Sequence, residues 1–564
     1  MFEIISGLAG TYKLNPVTME SNGYLSMVER VIRTHPDSPA FTDYEGETYT
    51  FREVGKAIFE MHFIFRELGI QKGDKVALIG RNMSNWAITY LSTVTYGAVV
   101  VPILPDFQPN DIHHIINHSE SVFLFASNSL FDRIDETKIP DVKGILSIND
   151  FQPLADHNGK LGKALVRAKE KAEDSFDVDN LRFKALGSEE VMVLSYTSGT
   201  SGFSKGVLLP HRSIWSNVQY AADTFDLGAG ERIVSFLPLA HAYGCLFEFL
   251  WPFITGCHIT FLTRTPSPQI ITEAFRNVKP HLILSVPLIL EKIFKRRIMP
   301  QLEKTPVKTL LKLPIANKLI YAKVRKTLFE VFGGEFKEMV VGGAALNKDV
   351  ELFLKKINFP LTVGYGMTES GPLISYAPWQ VTHTFSAGRI VDRMQVRIDS
   401  SDPYNVVGEI QVKGDNTLLG YYKNEKATRE IFTDDGWVHT GDLGVIDADN
   451  FIFIKGRSKN MILGASGQNI YPEEIEAVLN NQELVQECLV RERDGKIEAL
   501  VYPDYEVKDM SNFTHEEIEK EMQRLRTDVN KELPAFMAIS KVILFPEEFE
   551  KTPKKSIKRY KYLK

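Results

Sequence analysis

Short apolar runs without alternation recur along the first two thirds of the chain. They are VALI (76–79), VVVPI (99–103), SVFLFA (121–126), VMVLSY (191–196), RIVSF (232–236), HITFL (258–262), HLIL (281–284), EMVVG (338–342) and LTVG (361–364). A strand that is apolar at every position is buried on both faces, which predicts a mostly parallel sheet covered by helices. The intervening segments supply the helices; residues 85–96, for example, show helical spacing. Residues 21–68 predict a helical cap with a short hairpin, AFTDY then a Glu-Gly turn then TYTF. Residues 160–190 are charged and weakly periodic, which reads as a surface excursion.

Beyond Pro378 the pattern changes to short strands with turn signals. VRI (396–398), GEIQVK (408–413) and FIFI (451–454) predict a small sheet or barrel. KGRSKN (455–460) then interrupts the chain, and about a hundred residues follow with a helix, strand, strand, helix, strand order. The expected class is α/β. A large N-terminal domain, residues 1–457, combines doubly wound, mostly parallel sheets with a small β-rich subdomain. A small α+β domain occupies residues 458–564.

Composition narrows the function classes. At 564 residues several cores are expected. The net charge of −6 gives no electrostatic case for a nucleic-acid partner. Cys245, Cys257 and Cys488 lie far apart, so neither a disulfide framework nor a zinc site is suggested. The first residues, MFEII, carry an acid where a signal peptide has bases. The longest apolar stretch, 245–262, contains Glu248, Pro252 and His258, which predicts buried helix plus strand and not a membrane span. A cytoplasmic enzyme is the expectation.

The densest candidate chemistry is TSGTSGFSK (197–205). Thr197, Ser198, Gly199, Thr200, Ser201 and Gly202 offer small donors and turning backbone amides, and Lys205 adds a point charge. That is a phosphate cradle; a plain Ser/Gly turn is the alternative from these residues alone. It is not a Walker A loop, because Lys205 precedes a glycine, no Ser or Thr follows it, and the next segment is strand-like. The following helix is expected only after residues 210–213. GGAAL (342–346) follows a buried strand and permits close approach of a flat ligand. GYGMTES (364–370) places Tyr365, Thr368 and Glu369 at the carboxyl end of the next strand, the edge where open α/β sheets bind ligands. There a tyrosine can stack on a base, and a lone carboxylate can hold Mg²⁺ against phosphate oxygens. Asp442, after a tight turn in DGWVHTGDLG (435–444), suits a ribose diol. GGEF (333–336) is read as a helix C-cap and turn.

The sequences YTSGTSG with Lys205-Gly-Val, GYGMTE, DGWVHTGD and GRSKN resemble successive core motifs of the AMP-forming adenylate superfamily. Its members include acyl-CoA synthetases, nonribosomal peptide adenylation domains and firefly luciferase. NMILGASGQNIYPEEIE (460–476) and a basic helical insertion at 293–334 are most similar to bacterial long-chain fatty acyl-CoA synthetases. The resemblance implies that residues 197–202 and Lys205 hold the β- and γ-phosphates of ATP, and that Thr197 and Glu369 hold Mg²⁺. It places Gly343, Ala344 and Tyr365, with Gly366 in the same motif, around the adenine. It puts Thr368 at the α-phosphate, Asp442 and Arg457 at the ribose, and His241 in PLAHAYG (238–244) beside the substrate carboxylate. Lys459 matches the hinge about which a mobile C-terminal domain turns, and Gly467 flanks the pantetheine tunnel of coenzyme A.

Two positions depart from the family pattern. Phe203-Ser204 replaces a residue followed by proline in the loop. Ser556 stands where the family carries the lysine that contacts the reacting carboxylate and α-phosphate; Lys555 is the expected substitute, with Lys554 or a solvated basic tail as alternatives. The activity implied is a long-chain fatty acid:CoA ligase. A carrier-protein acceptor, release of the adenylate, or a weakened fatty-acid- or nucleotide-binding protein are the alternatives. Residues 292–326 alternate Lys and Arg with apolar residues, either a face for the inner surface of an anionic membrane or an ordinary solvated helix. Homodimers occur in the family.

Overall fold

A computed structural model describes residues 23–157, 159–197, 205–302, 304–311, 313–463, 468–482, 484–505, 513–552 and 556–563. The apolar runs form strands as expected, but they are divided among three sheets. The largest has eight strands in the order Gly420–Tyr421, Lys205–Pro210, Val191–Thr197, Val99–Ile103, Lys75–Ile79, Ser121–Ala126, Ile145–Ser147 and Pro153–Ala155. The five strands from Val191–Thr197 to Ile145–Ser147 pair in parallel, and the remaining strands at the two ends pair antiparallel. The hairpin strand Pro39–Asp43 pairs in parallel with His258–Phe261, which joins the N-terminal cap to a second sheet containing Arg232–Ser235. Leu282–Ser285, Glu338–Val341 and Leu361–Val363 make a third, all-parallel sheet. All of these share one buried apolar cluster.

Met394–Asp399, Gly408–Gly414, Val438–Ile446 and Ile452–Arg457 form the antiparallel subdomain sheet. Beyond it, Val485–Arg493, Lys496–Pro503 and Lys541–Leu544 pack under the helices Pro472–Asn480 and His515–Glu532 around a separate core. The order helix, strand, strand, helix, strand is the one expected.

Two expectations are corrected. Residues 160–190 are not merely an excursion: Leu161–Ser175 is a helix that packs on Phe51–Glu67. Its buried stripe is Leu161, Ala164, Ala168 and Ala172, at helical spacing but built mainly of alanine. Small side chains give little hydrophobic contrast against the Lys, Arg, Glu and Asp residues between them, so the period is weak in the sequence. The helix after the glycine-rich loop begins at His211, with Pro210 as its N-cap, three residues earlier than expected. Pro210 lies just outside the helix, where its missing N–H costs no hydrogen bond.

The third sheet carries a buried acid. Glu338 opens its strand, accepts the Trp379 amide at 2.6 Å and receives the Tyr376 hydroxyl. Burial pushes its carboxyl up to about 7, with those two hydrogen bonds pulling the other way. An unfolded glutamate titrates near ~4.3. The native state therefore holds this proton more tightly, and its contribution to stability falls as pH rises from the unfolded value to about 7. Urea midpoints between pH 4 and 8 are expected to lose that part of their slope in Glu338→Gln.

Candidate active site

The strands Val191–Thr197 and Lys205–Pro210 are adjacent and antiparallel, so Thr197 pairs directly with Lys205 across the mouth of the loop. Ser198, Gly199, Thr200, Ser201 and Gly202, with Phe203 and Ser204, lie outside the described residues. The Lys205 ammonium sits over the Tyr421 ring, 4.8 Å from its centroid, within the range of a cation–π contact. The Tyr421 hydroxyl donates to Glu369 Oε1 at 2.8 Å. Thus Lys205 and Glu369, 164 positions apart, meet through a tyrosine that the motifs did not single out. Its only sequence signal is GYY (420–422), which supplies the edge strand pairing with Val207 and Leu208.

Glu369 lies in a short 3-10 turn, Thr368–Ser370, whose position is set from below. Asn217, fully buried on the helix His211–Thr224, donates to the Ser370 carbonyl at 3.2 Å and accepts the Leu373 amide at 2.9 Å. The Asn416 amide donates to the Leu373 carbonyl, Ser213 donates to the Asn416 carbonyl, and the Leu418 amide donates to the Glu369 carbonyl. This buried amide network ties the turn to the helix beneath it, with Asn416 Oδ1 and Ser370 Oγ left without a partner among the described residues. Gly366 and Gly371 are steric requirements of the same turn. A Cβ at Gly366 would lie 2.1 Å from the Pro372 carbonyl oxygen. One at Gly371, where φ is +56°, would lie 2.2 Å from Ser213 Oγ.

Tyr365 and Asp442 come together as the motif order implied. Tyr365 is buried and donates its hydroxyl to Asp442 Oδ2 at 2.8 Å. Arg457 Nε approaches Asp442 Oδ1 at 3.0 Å, and the two residues are cross-strand partners. Burial pushes the Asp442 carboxyl above its ordinary value, while the Arg457 charge and the Tyr365 hydroxyl pull it down. Its side chain is 9% exposed against 68% for Arg457, so the pair presents a guanidinium to solvent with an acceptor behind it. Gly343 (φ +86°) and Ala344 are exposed after the strand Glu338–Val341. Gly342 beside them is tight, since a Cβ there would lie 3.2 Å from the Tyr243 ring.

His241 is half-buried and caps a short helix, Ala242–Cys245, which runs into a π-helical turn, Leu246–Leu250. Two buried residues outside the recognised motifs hold the loop that carries it. Glu248 Oε2 accepts the Phe236 and Leu237 amides, each at 3.0 Å. Asn82 accepts the Leu239 amide and donates to the Leu237 carbonyl. Burial pushes the Glu248 carboxyl well above its ordinary value, opposed by those amides. A small apolar pocket of about 20 Å³ lies beside this loop, with Ala240, Cys245, Leu246, Val193, Leu209 and Gly371 among its lining residues. Among the described residues no Asp, Glu, Lys or Arg side chain lines it.

Lys459 is exposed in the 3-10 turn Ser458–Asn460, directly after Arg457. Asn460 donates to Glu473 Oε1 at 2.6 Å on the helix Pro472–Asn480, and Asn481 donates to Asp349 Oδ2 at 2.9 Å on the large domain. Gly467 and Lys555 lie outside the described residues, as does Lys554. Ser556 is exposed and accepts the Thr552 amide at 2.8 Å beside a Lys551–Ile557 bridge. That segment is fastened to the small domain's own core by Arg559 on Glu476 and Lys551 on Glu487. Among the described residues no group of three or more His, Cys, Asp and Glu side chains could hold a metal ion.

Comparison with known proteins shows the family. The model of the AMP-binding enzyme family matches residues 28–422, and that of the AMP-binding enzyme C-terminal domain matches 459–564. The long-chain-fatty-acid–CoA ligase FadD15 of Mycobacterium bovis is 30% identical over 75% of this chain and 72% of its own. The long-chain-fatty-acid–CoA ligase of Salmonella typhimurium is 27% identical over 84% of each chain. The crystal structure of the ATP-bound RpMatB-BxBclM chimera B1 superposes with a TM-score of 0.77 at 21% identity, over 96% of this chain and 98% of that one. The chain therefore belongs to the AMP-binding enzyme family, within the AMP-forming adenylate superfamily, as an AMP-forming ligase of the acyl-CoA synthetase kind.

Proposed function

We propose that the protein activates a long-chain fatty acid with ATP and passes the acyl group to coenzyme A, releasing pyrophosphate and AMP. The observation that carries this is the similarity to long-chain-fatty-acid–CoA ligases over three quarters or more of the chain, and a small apolar pocket lined by Ala240 and Gly371 lies beside the turn that holds Glu369. A carboxylate entering head-last from that pocket would present its oxygens next to His241 and the Lys205–Tyr421–Glu369 cluster.

In the first half-reaction a carboxylate oxygen attacks the α-phosphorus, and the bond to pyrophosphate breaks. In the second the thiol sulfur attacks the acyl carbon, its proton is lost, and AMP departs with the electron pair of the broken carbon–oxygen bond. No side-chain nucleophile is needed; the chain aligns reactants and neutralises charge. Residues 197–202 and Lys205 would hold the β- and γ-phosphates. Thr197 and Glu369 would hold Mg²⁺, a fit supported by one carboxylate with a single oxygen engaged by Tyr421, since Mg²⁺ is commonly shared between one or two carboxylates and substrate phosphates. The bound ion supplies charge neutralisation on the leaving pyrophosphate.

Asp442 and Arg457 would take the ribose hydroxyls, Gly343, Ala344, Tyr365 and Gly366 the adenine, and Thr368 the α-phosphate. Lys459 would be the hinge of domain rotation and Gly467 a wall of the pantetheine path. Lys555 would meet the reacting carboxylate in place of Ser556. Lys555→Ala is expected to slow adenylate formation at least tenfold in single-turnover assays; an unchanged rate contradicts that role.

Purified protein with ATP, Mg²⁺, coenzyme A and a carboxylate panel tests the whole assignment. Acyl-CoA product is expected with long-chain acids. Turnover confined to short or aromatic acids, or thioester formed only on a carrier protein, overturns the substrate or acceptor proposed.

A further inference from the structure

Tyr421 touches both charged side chains that the sheet brings to the mouth of the loop. Its hydroxyl donates to Glu369 Oε1 at 2.8 Å, and its ring centroid lies 4.8 Å from the Lys205 ammonium. The sheet dictates this place. Tyr421 pairs with Val207, and Gly420 with Leu208, along an antiparallel edge. Lys205 stands two positions before Val207, so it shares a strand face with it and is the diagonal neighbour of Tyr421. The backbone is pinned on both sides: the Leu419 and Tyr422 amides donate to the Leu208 and Gly206 carbonyls, and the Tyr421 amide donates to Thr428 Oγ1 at 2.9 Å. Gly420 allows that approach, since a Cβ there would lie 2.7 Å from Thr428 Cγ2. The Tyr421 side chain is buried, so ring and hydroxyl are fixed together.

Packing alone does not account for the contacts it makes. A buried tyrosine needs an acceptor for its hydroxyl, and a backbone carbonyl would serve. Here the acceptor is a half-buried carboxylate 52 positions away, and a cation covers the ring. Opposite charges in one site attract. A direct Lys205–Glu369 pair would cancel both, withdrawing the lysine from a phosphate and the carboxylate from a cation. Among the described residues Lys205 and Glu369 form no ion pair with each other; each is engaged by a different part of the tyrosine. A hydrogen bond from a neutral donor and a cation–π contact orient the two side chains and leave their charges uncancelled.

We propose that Tyr421 is a positioning residue for the first half-reaction. Its hydroxyl fixes the Glu369 carboxylate for Mg²⁺, and its ring holds Lys205 apart from Glu369, ready for phosphate. The proposal rests on the roles given above to Glu369 and Lys205, and adds the residue that keeps them separate. It does not depend on which acid is activated.

The test joins exchange kinetics to metal-free ATP binding, both on the full chain. Tyr421→Phe keeps the ring and drops the hydroxyl. It is expected to slow carboxylate-dependent ATP–pyrophosphate exchange about tenfold, the usual contribution of one hydrogen bond to a charged group. Because the hydroxyl acts through Glu369, adding Tyr421→Phe to Glu369→Gln should slow exchange by less than about twofold more. Calorimetric titration of ATP in EDTA, with neither metal nor turnover, reads the lysine side. Tyr421→Leu is expected to bind ATP about fivefold more weakly than Tyr421→Phe, since Lys205 loses the ring and pairs with Glu369. Adding Glu369→Gln removes that partner and is expected to recover about threefold of the affinity; a packing defect would not be relieved this way. Near-wild-type exchange in Glu369→Gln overturns the metal role of Glu369 and this proposal with it. The positioning role alone is overturned if Glu369→Gln collapses while Tyr421→Phe exchanges like wild type, or if the two effects multiply in full. A binding loss in Tyr421→Leu that Glu369→Gln leaves in place overturns it as well.

Discussion

Glu369→Gln is expected to reduce carboxylate-dependent ATP–pyrophosphate exchange by roughly 10³-fold. The substitution is nearly isosteric: its amide oxygen can still accept from the Tyr421 hydroxyl, which now lies 2.8 Å from Glu369 Oε1. The backbone of the turn is held independently, by the Leu418 amide on the Glu369 carbonyl and by Asn217 on Ser370. What is lost is one negative charge at the mouth of the loop, beside Lys205 and the Tyr421 ring. If that charge holds Mg²⁺ against the leaving pyrophosphate, the loss falls on the transition state, where charge moves, and far less on ATP binding. The expected pattern is a collapse of the exchange rate with the urea midpoint unchanged. A loss below tenfold contradicts the role.

The second large effect is at Asp442, and two substitutions divide it. Asp442→Ala removes the acceptor of both Arg457 Nε and the buried Tyr365 hydroxyl. Leaving that hydroxyl without a partner costs about 1–3 kcal/mol of stability. Hydrogen bonds to a charged group contribute roughly 1.5–3 kcal/mol each, so losing those to a ribose diol should raise the Michaelis constant for ATP on the order of 10²-fold. Asp442→Asn keeps an oxygen for Tyr365 and is expected to recover most of the stability but little of the nucleotide affinity. Thermal unfolding and ATP titration read the two effects separately. Full affinity in Asp442→Ala contradicts the ribose assignment.

The strands of the large domain were legible because burial on both faces leaves continuous apolar runs, such as VALI at 76–79. Their distribution among three sheets was not. That depends on which neighbour each strand meets, as when Pro39–Asp43 joins His258–Phe261 across more than two hundred residues. The helix Leu161–Ser175 was obscured because alanine forms its buried stripe. At the site, residues carried by glycine-bearing motifs were legible: Thr197, Lys205, Tyr365, Glu369, Asp442 and Arg457. The residues that position them were not, because Tyr421, Asn217, Asn82 and Glu248 act through long-range contacts and stand in no motif of their own. In the sequence Glu248 is only a charge interrupting an apolar stretch; the structure gives it two backbone amides to hold.

The most direct measurement is ATP–pyrophosphate exchange with palmitate and Mg²⁺ in the absence of coenzyme A. The assignment predicts exchange that requires the fatty acid, and AMP and acyl-CoA in equal amounts once coenzyme A is added. ATP binding without any palmitate-dependent exchange, or ADP as the nucleotide product, would contradict it.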